Sequence, residues 1–508
     1  MFKNAKRAGS IFILMALSFI ALSDSQKEGK TVRPLMEPYL DQKPPRDDPV
    51  LFAPGIVSTG EFEHSSPVFT PDLREIFWST SKTFYVKYEN GVWSRPTIAP
   101  FNKVFENCEN PFISPDGRKI YFSAILASGP RHYDLWASAR TLNGWDDPEP
   151  LKDLNTEAHD ESQPTIAKNG TIYYVGYYDQ ATPPYGLYSS KREGSHYLAP
   201  VLMEEKFNQK FADWTPYIAP DESYFIFCSF RPGGYGSGDL YVSFKKNDGS
   251  WGKVKNMGNK VNGPANDRFP NITPDGRYLF FNSTRKIAEA GDNEPGNGKG
   301  DVYWVRSSIL EYLKDNDLDV IDVLYEEAVS GHLETVLKKY DRLKNRHARF
   351  YNFEPSVLYT VGLRLIENRK ISEALKIFEL NSKRYPKADL AYQNILSLIF
   401  IRDGDAMEKL SADLVRRNQK DRSIGIYDMN YLGDRFLKAG LAHEALEIFR
   451  LNAKLFPDSA GVYKSLGDAH QALRDEKAAI GCYQKALQLN PGDRGVEEKL
   501  NRLGKKKQ

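Results

Sequence analysis

The sequence predicts a multidomain protein, a five-bladed β-propeller followed by an α-helical solenoid. The first observation is a stretch that occurs five times. In its fullest form it reads apolar–Pro–x–apolar–Ser/Thr–Pro–Asp–Gly and continues into a short aromatic run. The second is a change of hydrophobic period from 2 to 3.6 after about residue 310. A chain of 508 residues is long enough for more than one domain.

The five copies share one internal chemistry. They occupy Ser66–Thr80, Asn110–Ala124, Gln163–Gly176, Thr215–Ser229 and Phe269–Thr284. Each contains a turn signal, most clearly Pro-Asp-Gly, because proline presets φ, aspartate bonds to its own backbone and glycine accepts positive φ. The flanking runs are short, β-branched and aromatic, which favours buried strands over helices. Each copy therefore predicts two strands joined by a tight turn.

The first proline of each copy gives the repeat length. These prolines stand at positions 67, 111, 164, 216 and 270, and the differences between successive positions are 44, 53, 52 and 54. A third strand is predicted to begin at residues 134, 186, 239 and 301, and a glycine followed by an aromatic residue marks the hairpin into a fourth. Four strands in a repeat of about 50 residues are typical of a propeller blade.

This pattern resembles the PD40 repeat, the WD40-like propeller repeat of TolB-type and related bacterial envelope proteins. The resemblance covers roughly residues 50–310, and it implies a five-bladed propeller at 50–312. The fifth copy lacks an outer strand, whereas an unassigned strand segment, Val50–Val57, precedes the first copy. We predict that this segment completes the last blade, since ring closure removes exposed sheet edges.

The N-terminal residues predict export. Residues 1–23 combine basic residues, the apolar run Ile11–Leu22 and small residues near Ser23, the composition of a secretory signal peptide. An uncleaved anchor is the alternative, and no cysteine follows the run to carry a lipoprotein anchor. Residues 24–49 are polar and proline-rich and predict an extended linker. We expect a periplasmic or secreted protein with no integral membrane segment after cleavage.

The C-terminal part contains a second repeat, with a shorter period. Leu432-Gly433 recurs as Leu466-Gly467 and Ala445 recurs as Ala479, a position difference of 34 in each case, and a further copy begins near residue 355. The pattern resembles the tetratricopeptide repeat, in which small residues let paired helices approach closely. The resemblance implies a helical domain at 313–508. Its parts are capping helices at 313–354, repeats at 355–388, 426–459 and 460–493, a degenerate repeat at 389–425 and a final helix and tail at 494–508. We expect its core to be separate from that of the propeller.

Catalytic and metal-binding motifs are absent from the sequence. It contains no G-x-S-x-G, H-E-x-x-H or C-x-x-C motif, and Gly236-Ser237-Gly238 is assigned to a loop before a strand. The acidic residues from Asp315 to Glu326 imitate a calcium loop, but Val320 stands where that loop needs glycine, so a helix start is favoured. A net charge of +2 gives no electrostatic case for nucleic acid. We predict no catalytic residue, no metal and no cofactor.

A ring of polar and aromatic residues precedes the first prolines and marks a candidate binding face. Its members are His64, Glu109, Glu161, Asp213, Trp214, Asp267 and Arg268. Tryptophan and arginine on an exposed face can bind a sugar, a peptide or a cation. The alternative is that the acids cap neighbouring backbone N–H groups. Two carboxylates about 5–10 Å apart in a pocket would favour a glycosidase, whereas carboxylates bound to backbone would favour a scaffold.

The helical repeats predict a second surface. Stacked repeats of this kind present a groove that binds a protein or peptide. Asn381 and Asn452 stand where alanine is usual, either to contact a ligand or to cap helices within the array. The sequence thus favours an exported, non-enzymatic scaffold or binding protein of the cell envelope. The alternative is a carbohydrate-active enzyme that uses carboxylates on one propeller face.

Overall fold

The computed structural model describes residues 38–505 except 130, 158, 177–185, 210–212, 232–233, 288–289, 292, 317, 352, 389–390, 403 and 422–425. The predicted signal peptide at 1–23 therefore lies outside the described residues. Within the described part, no helix has both the length and the apolar character needed to cross a membrane.

Five antiparallel sheets form the blades of a propeller, as predicted. The strands in chain order are β1 (Val50–Leu51), β2 (Val68–Phe69), β3 (Glu75–Ser79), β4 (Thr83–Glu89), β5 (Val92–Trp93), β6 (Thr97–Ile98), β7 (Phe105–Ile113), β8 (Lys119–Leu126), β9 (Asp134–Thr141), β10 (Gly144–Trp145), β11 (Glu149–Pro150), β12 (Ser162–Ile166), β13 (Ile172–Gly176), β14 (Gly186–Ser190), β15 (Arg192–Glu193), β16 (His196–Tyr197), β17 (Val201–Leu202), β18 (Asp213–Ile218), β19 (Tyr224–Ser229), β20 (Asp239–Phe244), β21 (Lys255–Asn256), β22 (Asp267–Ile272), β23 (Tyr278–Ser283) and β24 (Asp301–Arg306). Blade 1 contains β2–β6, blade 2 β7–β11, blade 3 β12–β14 and β17, blade 4 β18–β21, and blade 5 β22–β24 with β1.

The inner strands of four blades are bulged next to the central channel. The residue before the first proline has a positive φ at Asn110, Gln163, Thr215 and Phe269, and the strand register shifts across each of these positions. A positive φ is uncommon outside glycine, and a bulge re-aims the side chains beside it. Hydrogen bonds join neighbouring blades at this level, for example from the Thr215 N–H to Gln163 Oε1 at 2.8 Å.

The N-terminal strand closes the ring. Val50 pairs with Trp304 and Leu51 with Tyr303, so β1 is the outer strand of blade 5. The Phe52 N–H extends this pairing by donating to Val302 O at 2.8 Å. The prediction that Val50–Val57 pairs with the last blade is confirmed for Val50–Phe52, whereas residues 53–57 form a turn outside the sheet.

Residues 38–49, the described part of the predicted linker at 24–49, depart from an extended linker. Tyr39 is 5% exposed and Leu40 is fully buried. The Tyr39 ring packs against Phe69 and Trp304, with centroids 5.7 and 5.4 Å apart, and its hydroxyl donates to Asp275 Oδ2 at 3.0 Å. This part of the chain is therefore docked between blades 1 and 5, because two large apolar side chains outweigh the polar residues around them.

Helices follow the last strand and pack as successive antiparallel pairs. They are α1 (Ser308–Asp315), α2 (Val320–Val329), α3 (Leu333–His347), α4 (Pro355–Glu367), α5 (Ile371–Arg384), α6 (Ala391–Ile401), α7 (Gly404–Asp421), α8 (Ile426–Lys438), α9 (Ala442–Leu455), α10 (Ala460–Ala472), α11 (Glu476–Leu489) and α12 (Arg494–Lys505). In three pairs a glycine lies against an aromatic ring with no room for a Cβ: Gly362 on Phe378, Gly433 on Phe449 and Gly467 on Tyr483.

Blades 4 and 5 of the propeller share a continuous hydrophobic core with helices α1 to α10, whereas the other blades and the last two helices have clusters of their own. The shared core runs from Ile226 and Leu279 of blades 4 and 5 through Leu313 of α1 to Leu432 of α8. Tyr351, which is 2% exposed, covers Gly258 so closely that a Cβ there would overlap its ring. The predicted separation into two cores is wrong, because a change of hydrophobic period marks a change of secondary structure and carries no information about packing between domains.

Candidate binding surfaces

Asp213 and Asp267 hold the beginnings of two inner strands. Asp267 accepts the Gly263 N–H at 2.6 Å and an Arg285 N–H at 2.7 Å. Asp213 has the same pattern: it accepts the Gln209 N–H at 2.7 Å and an Arg231 N–H at 3.1 Å. Both carboxylates are buried, and burial raises the pKa of Asp213. These two candidate ligand-binding residues are therefore structural clamps, the alternative that the sequence analysis left open.

Glu161 has the same structural role, and in blade 1 the role belongs to Glu63. Glu161 accepts the Thr156 N–H at 2.9 Å and its hydroxyl at 3.0 Å. Glu63 accepts the Thr59 N–H at 2.9 Å and its hydroxyl at 2.7 Å. Burial raises the pKa of Glu161 to about 7 and that of Glu63 to about 9. The position three residues before Pro67 is occupied by His64, so Glu63, one residue earlier, was not predicted from the sequence.

Three of the candidate residues meet in one row across the propeller face. The His64 Nδ1 lies 3.0 Å from Glu109 Oε2, and Glu109 Oε1 accepts the Tyr133 hydroxyl at 2.9 Å. Arg268 stands 4.6 Å from the centroid of the Phe62 ring, which makes an edge contact with His64 at 4.3 Å. Burial and the nearby Glu109 charge raise the pKa of Tyr133. The row combines a cation, aromatic rings and a carboxylate, and can bind a polar ligand.

Trp214 lies on the same face and is 38% exposed, with Phe230 6.2 Å away between ring centroids. The central channel beside it has a cavity volume of about 40 Å³, lined by residues such as Asn110, Gln163 and Thr215. At about 10–15 Å³ for each water, this space holds roughly three waters and no sugar ring. The carboxylates bound to backbone and the narrow channel favour a scaffold over a glycosidase.

No metal centre of the usual kind is found in the part of the chain that the structure describes. There, no three histidine, cysteine, aspartate or glutamate side chains come close enough together to hold an ion. Asp319 caps α2 by accepting the Ile321 and Asp322 N–H groups at 2.8 and 3.1 Å. The acidic segment therefore begins a helix, as the sequence analysis favoured over a calcium loop.

The two candidate asparagines of the helical groove lie inside the array. Asn381 donates to Pro355 O at 2.9 Å and to Gln393 Oε1 at 2.8 Å. Asn452 donates to Asn430 Oδ1 at 2.9 Å. Both side chains are fully buried, so they join helices and do not face a ligand. The prediction that they contact a partner is therefore corrected.

A propeller loop covers the first helices of the array. Tyr235, 4% exposed, and Gly236 face Tyr359 of α4, Tyr392 of α6 and Arg435 of α8 across a cavity of about 60 Å³. An Arg435 N–H donates to Gly236 O at 3.4 Å. The glycine-rich segment is a loop, as predicted, and it lies where the α4, α6 and α8 surface would otherwise be open to a partner.

A second polar surface lies on the last repeats and is here called the C-terminal strip: Asp434, Lys438, Lys464, Asp468 and Lys499. Lys499 Nζ lies 2.5 Å from Asp468 Oδ1, and Lys464 Nζ lies 3.3 Å from an oxygen of Asp493. Burial, with the nearby Asp468 charge, raises the pKa of Asp434 to about 6 against the opposing effect of Lys438. All five side chains are at least partly exposed. The strip thus offers alternating charges to a partner.

A repeated asparagine in the loops before the inner strands was not predicted from the sequence. Asn102, Asn155, Asn208 and Asn262 each accept the N–H of a residue at or next to the start of a third strand, at 2.7–3.1 Å. The differences between their successive positions, 53, 53 and 54, follow the repeat. In blade 5 the Ser58 hydroxyl takes this place, accepting the Val302 N–H at 3.1 Å. A search for polar residues at the repeat period would have found this set.

Comparison with known proteins identifies a tetratricopeptide repeat at residues 460–493. None of the curated proteins matches the chain. Among solved structures, MamA from Desulfovibrio magneticus RS-1 is 17% identical, with 38% of this chain and 88% of that chain covered and a TM-score of 0.20. YrrB, a tetratricopeptide-repeat protein with an unusual peptide-binding site, is 18% identical over 39% and 97%, with a TM-score of 0.19. An α-L-arabinofuranosidase from Lactobacillus brevis is 12% identical over 47% and 90%, with a TM-score of 0.33. The repeat indicates a role in protein–protein interaction.

Proposed function

We propose that this protein is an exported, non-enzymatic scaffold of the cell envelope that binds a protein or peptide through the C-terminal strip. The repeat at 460–493 supports this proposal, because it contributes Lys464 and Asp468 to the strip. The propeller loop at Tyr235 and Gly236 already covers the corresponding face of α4, α6 and α8. No residue of the strip lines the contact with that loop.

The test compares two charge reversals of equal size. Lys438→Glu with Lys464→Glu changes the strip, whereas Lys477→Glu with Lys485→Glu changes exposed lysines of α11, the second helix of the same repeat. Each full-length variant is immobilised and used to capture proteins from the envelope fraction of its own source. We expect the strip variant to lose at least about tenfold of the captured partner, because reversing two charges opposes a complementary surface. Equal capture by both variants would exclude the strip as the binding surface.

The proposal of export rests on the composition of residues 1–23 and on the resemblance to the PD40 repeats of TolB-type proteins. Cell fractionation of the full-length chain checks it. We expect the protein in the periplasmic or secreted fraction, shortened by about the length of the signal peptide. A full-length cytoplasmic product would refute export and leave the scaffold role to be judged by the capture experiment alone.

The row formed by His64, Glu109 and Arg268, together with Trp214, is proposed as a second surface for a carbohydrate or peptide. Trp214 supports this because a large exposed aromatic residue can stack on a sugar or anchor a peptide. Trp214→Ala with Arg268→Ala should abolish capture of such a ligand with little change in melting temperature. Arg268 also packs on Phe62, so a lowered melting temperature with unchanged capture would assign both residues to the fold.

A further inference from the structure

The junction between blades 4 and 5 shows how this propeller neutralises a pair of buried acids. The Asp267 N–H donates to Gly238 O at 2.7 Å, which brings Asp267 beside Asp239. Arg285 donates to Asp267 at 2.7 Å, and Asn256 Nδ2 donates to Asp239 at 2.8 Å. The two carboxyl groups are therefore met by one guanidinium and one amide.

The junction between blades 5 and 1 repeats the acids without their partners. The Glu63 N–H donates to Gly300 O at 3.1 Å, which brings Glu63 beside Asp301 in the same way. Arg285 stands two residues after Ser283 at the end of the second strand, but in blade 1 Ser81 stands two residues after Ser79. In the outer strand of blade 4, Asn256 pairs with Tyr241. In the outer strand of blade 5, Leu51 pairs with Tyr303, which is the equivalent of Tyr241. Serine and leucine thus replace the arginine and the amide.

One oxygen of each acid is left without a hydrogen bond. Glu63 Oε2 and Asp301 Oδ1 are both buried and unpartnered, and both residues are fully buried. Within the described residues, no lysine, arginine or histidine forms an ion pair with either carboxylate. An ionised carboxylate buried without a hydrogen bond or an ion pair is unfavourable, so this pair of acids lacks a counter-charge that the junction of blades 4 and 5 possesses.

We propose that a Ca²⁺ ion binds between Glu63 and Asp301 and takes the place of the missing arginine. The available donors are all oxygens, which suit a hard cation, and a divalent ion matches two carboxylates. The Thr59 hydroxyl, 2.7 Å from Glu63 Oε1, supplies another oxygen nearby. Ca²⁺ accepts irregular sets of six to eight oxygens that include waters, whereas Mg²⁺ demands a near-ideal octahedron. The ion would join the last blade to the first, next to the pairing that closes the ring.

The test uses the full-length protein freed of metal with EDTA. Titration with CaCl₂ in a calorimeter should show one ion bound for each chain. Added Ca²⁺ should raise the melting temperature by at least about 3 °C, because an ion that binds only the folded state stabilises it. Mg²⁺ at the same concentration should give a smaller shift. Glu63→Gln and Asp301→Asn should each lose the calcium response.

Two further variants separate calcium binding from general stability. Asp267→Asn disturbs the equivalent acid at the junction of blades 4 and 5, and it should melt lower while keeping the calcium response. Ser81→Arg supplies the arginine that blades 4 and 5 possess, and it should melt at the same temperature with and without Ca²⁺. If the wild-type protein binds no Ca²⁺ and Glu63→Gln melts above it in either buffer, a proton on Glu63 neutralises the pair and the proposal is wrong.

Discussion

Removing one partner of the Arg435–Glu367 ion pair should destabilise the propeller and the helices together. Arg435 Nε lies 2.6 Å from Glu367 Oε1, and each side chain is 5% exposed. Arg435→Met leaves the Glu367 carboxylate buried without its arginine, which costs about 3–5 kcal/mol in comparable buried pairs. It also removes the hydrogen bond to Gly236 O of the propeller loop.

The double variant Arg435→Met with Glu367→Leu gives the matched comparison. It removes both charges and fills the space with apolar atoms, so its free energy of unfolding should lie within about 2 kcal/mol of that of the wild type. Glu367→Leu alone leaves the arginine buried and should cost about as much as Arg435→Met. The four proteins form a double-mutant cycle, and the energies of the single variants should not add.

Urea unfolding provides the assay, because the two parts of the chain have separate signals. All seven tryptophans lie between residues 78 and 304, so their fluorescence reports the propeller, whereas circular dichroism at 222 nm reports the helices. A continuous core predicts that both signals change at one urea concentration in every variant. A loss below about 1 kcal/mol in Arg435→Met, or additive single variants, would refute the role assigned to the ion pair. Two separated transitions in the wild type would refute the continuous core.

Three further predictions concern single positions. Gly258→Ala forces a Cβ into the ring of Tyr351 at a φ of +75°, so it should lower the free energy of unfolding in urea by about 1–3 kcal/mol. An unchanged urea midpoint would show that the domains separate easily. Tyr39→Ala should cost about 3 kcal/mol and Tyr39→Phe, which loses only the bond to Asp275, about 1 kcal/mol; equal losses would contradict the packing role. Burial raises the pKa of Asp239 to about 7, so the folded state keeps a proton that the unfolded state loses above about pH 4. Stability should therefore fall as pH rises from 4 to 7, and Asp239→Asn should flatten that slope.

The blades were predictable because each contains its own local signal. Pro-Asp-Gly turns and short aromatic runs specify strand pairs from neighbouring residues alone, and their spacing specifies the number of blades. The unassigned segment Val50–Val57 could be placed in blade 5 because a closed ring needs an outer strand there. The helical repeats followed from glycines that must meet aromatic rings, as at Gly433 and Phe449.

The candidate site was harder to predict because residue type does not report the environment of a side chain. Glu161, Asp213 and Asp267 have the composition of a binding face, yet their oxygens accept backbone N–H groups and all three are buried. Asn381 and Asn452 likewise have the polarity of ligand contacts but lie between helices. Of the face residues, His64, Glu109 and Arg268 do meet, through Phe62 and Tyr133, whose part required the tertiary structure.

The sequence by itself determined the two classes of repeat, the number of blades and the strand that closes the ring, because these depend on short-range turn chemistry and on spacing. Only the tertiary structure decided that the propeller loop covers α4, α6 and α8 and that Tyr39 docks between blades 1 and 5. It alone decided that Glu63 lies beside Asp301, with no ion pair to either carboxylate among the described residues. These contacts join residues far apart in the chain, and no local pattern encodes which distant surfaces come together to bury apolar area and pair charges.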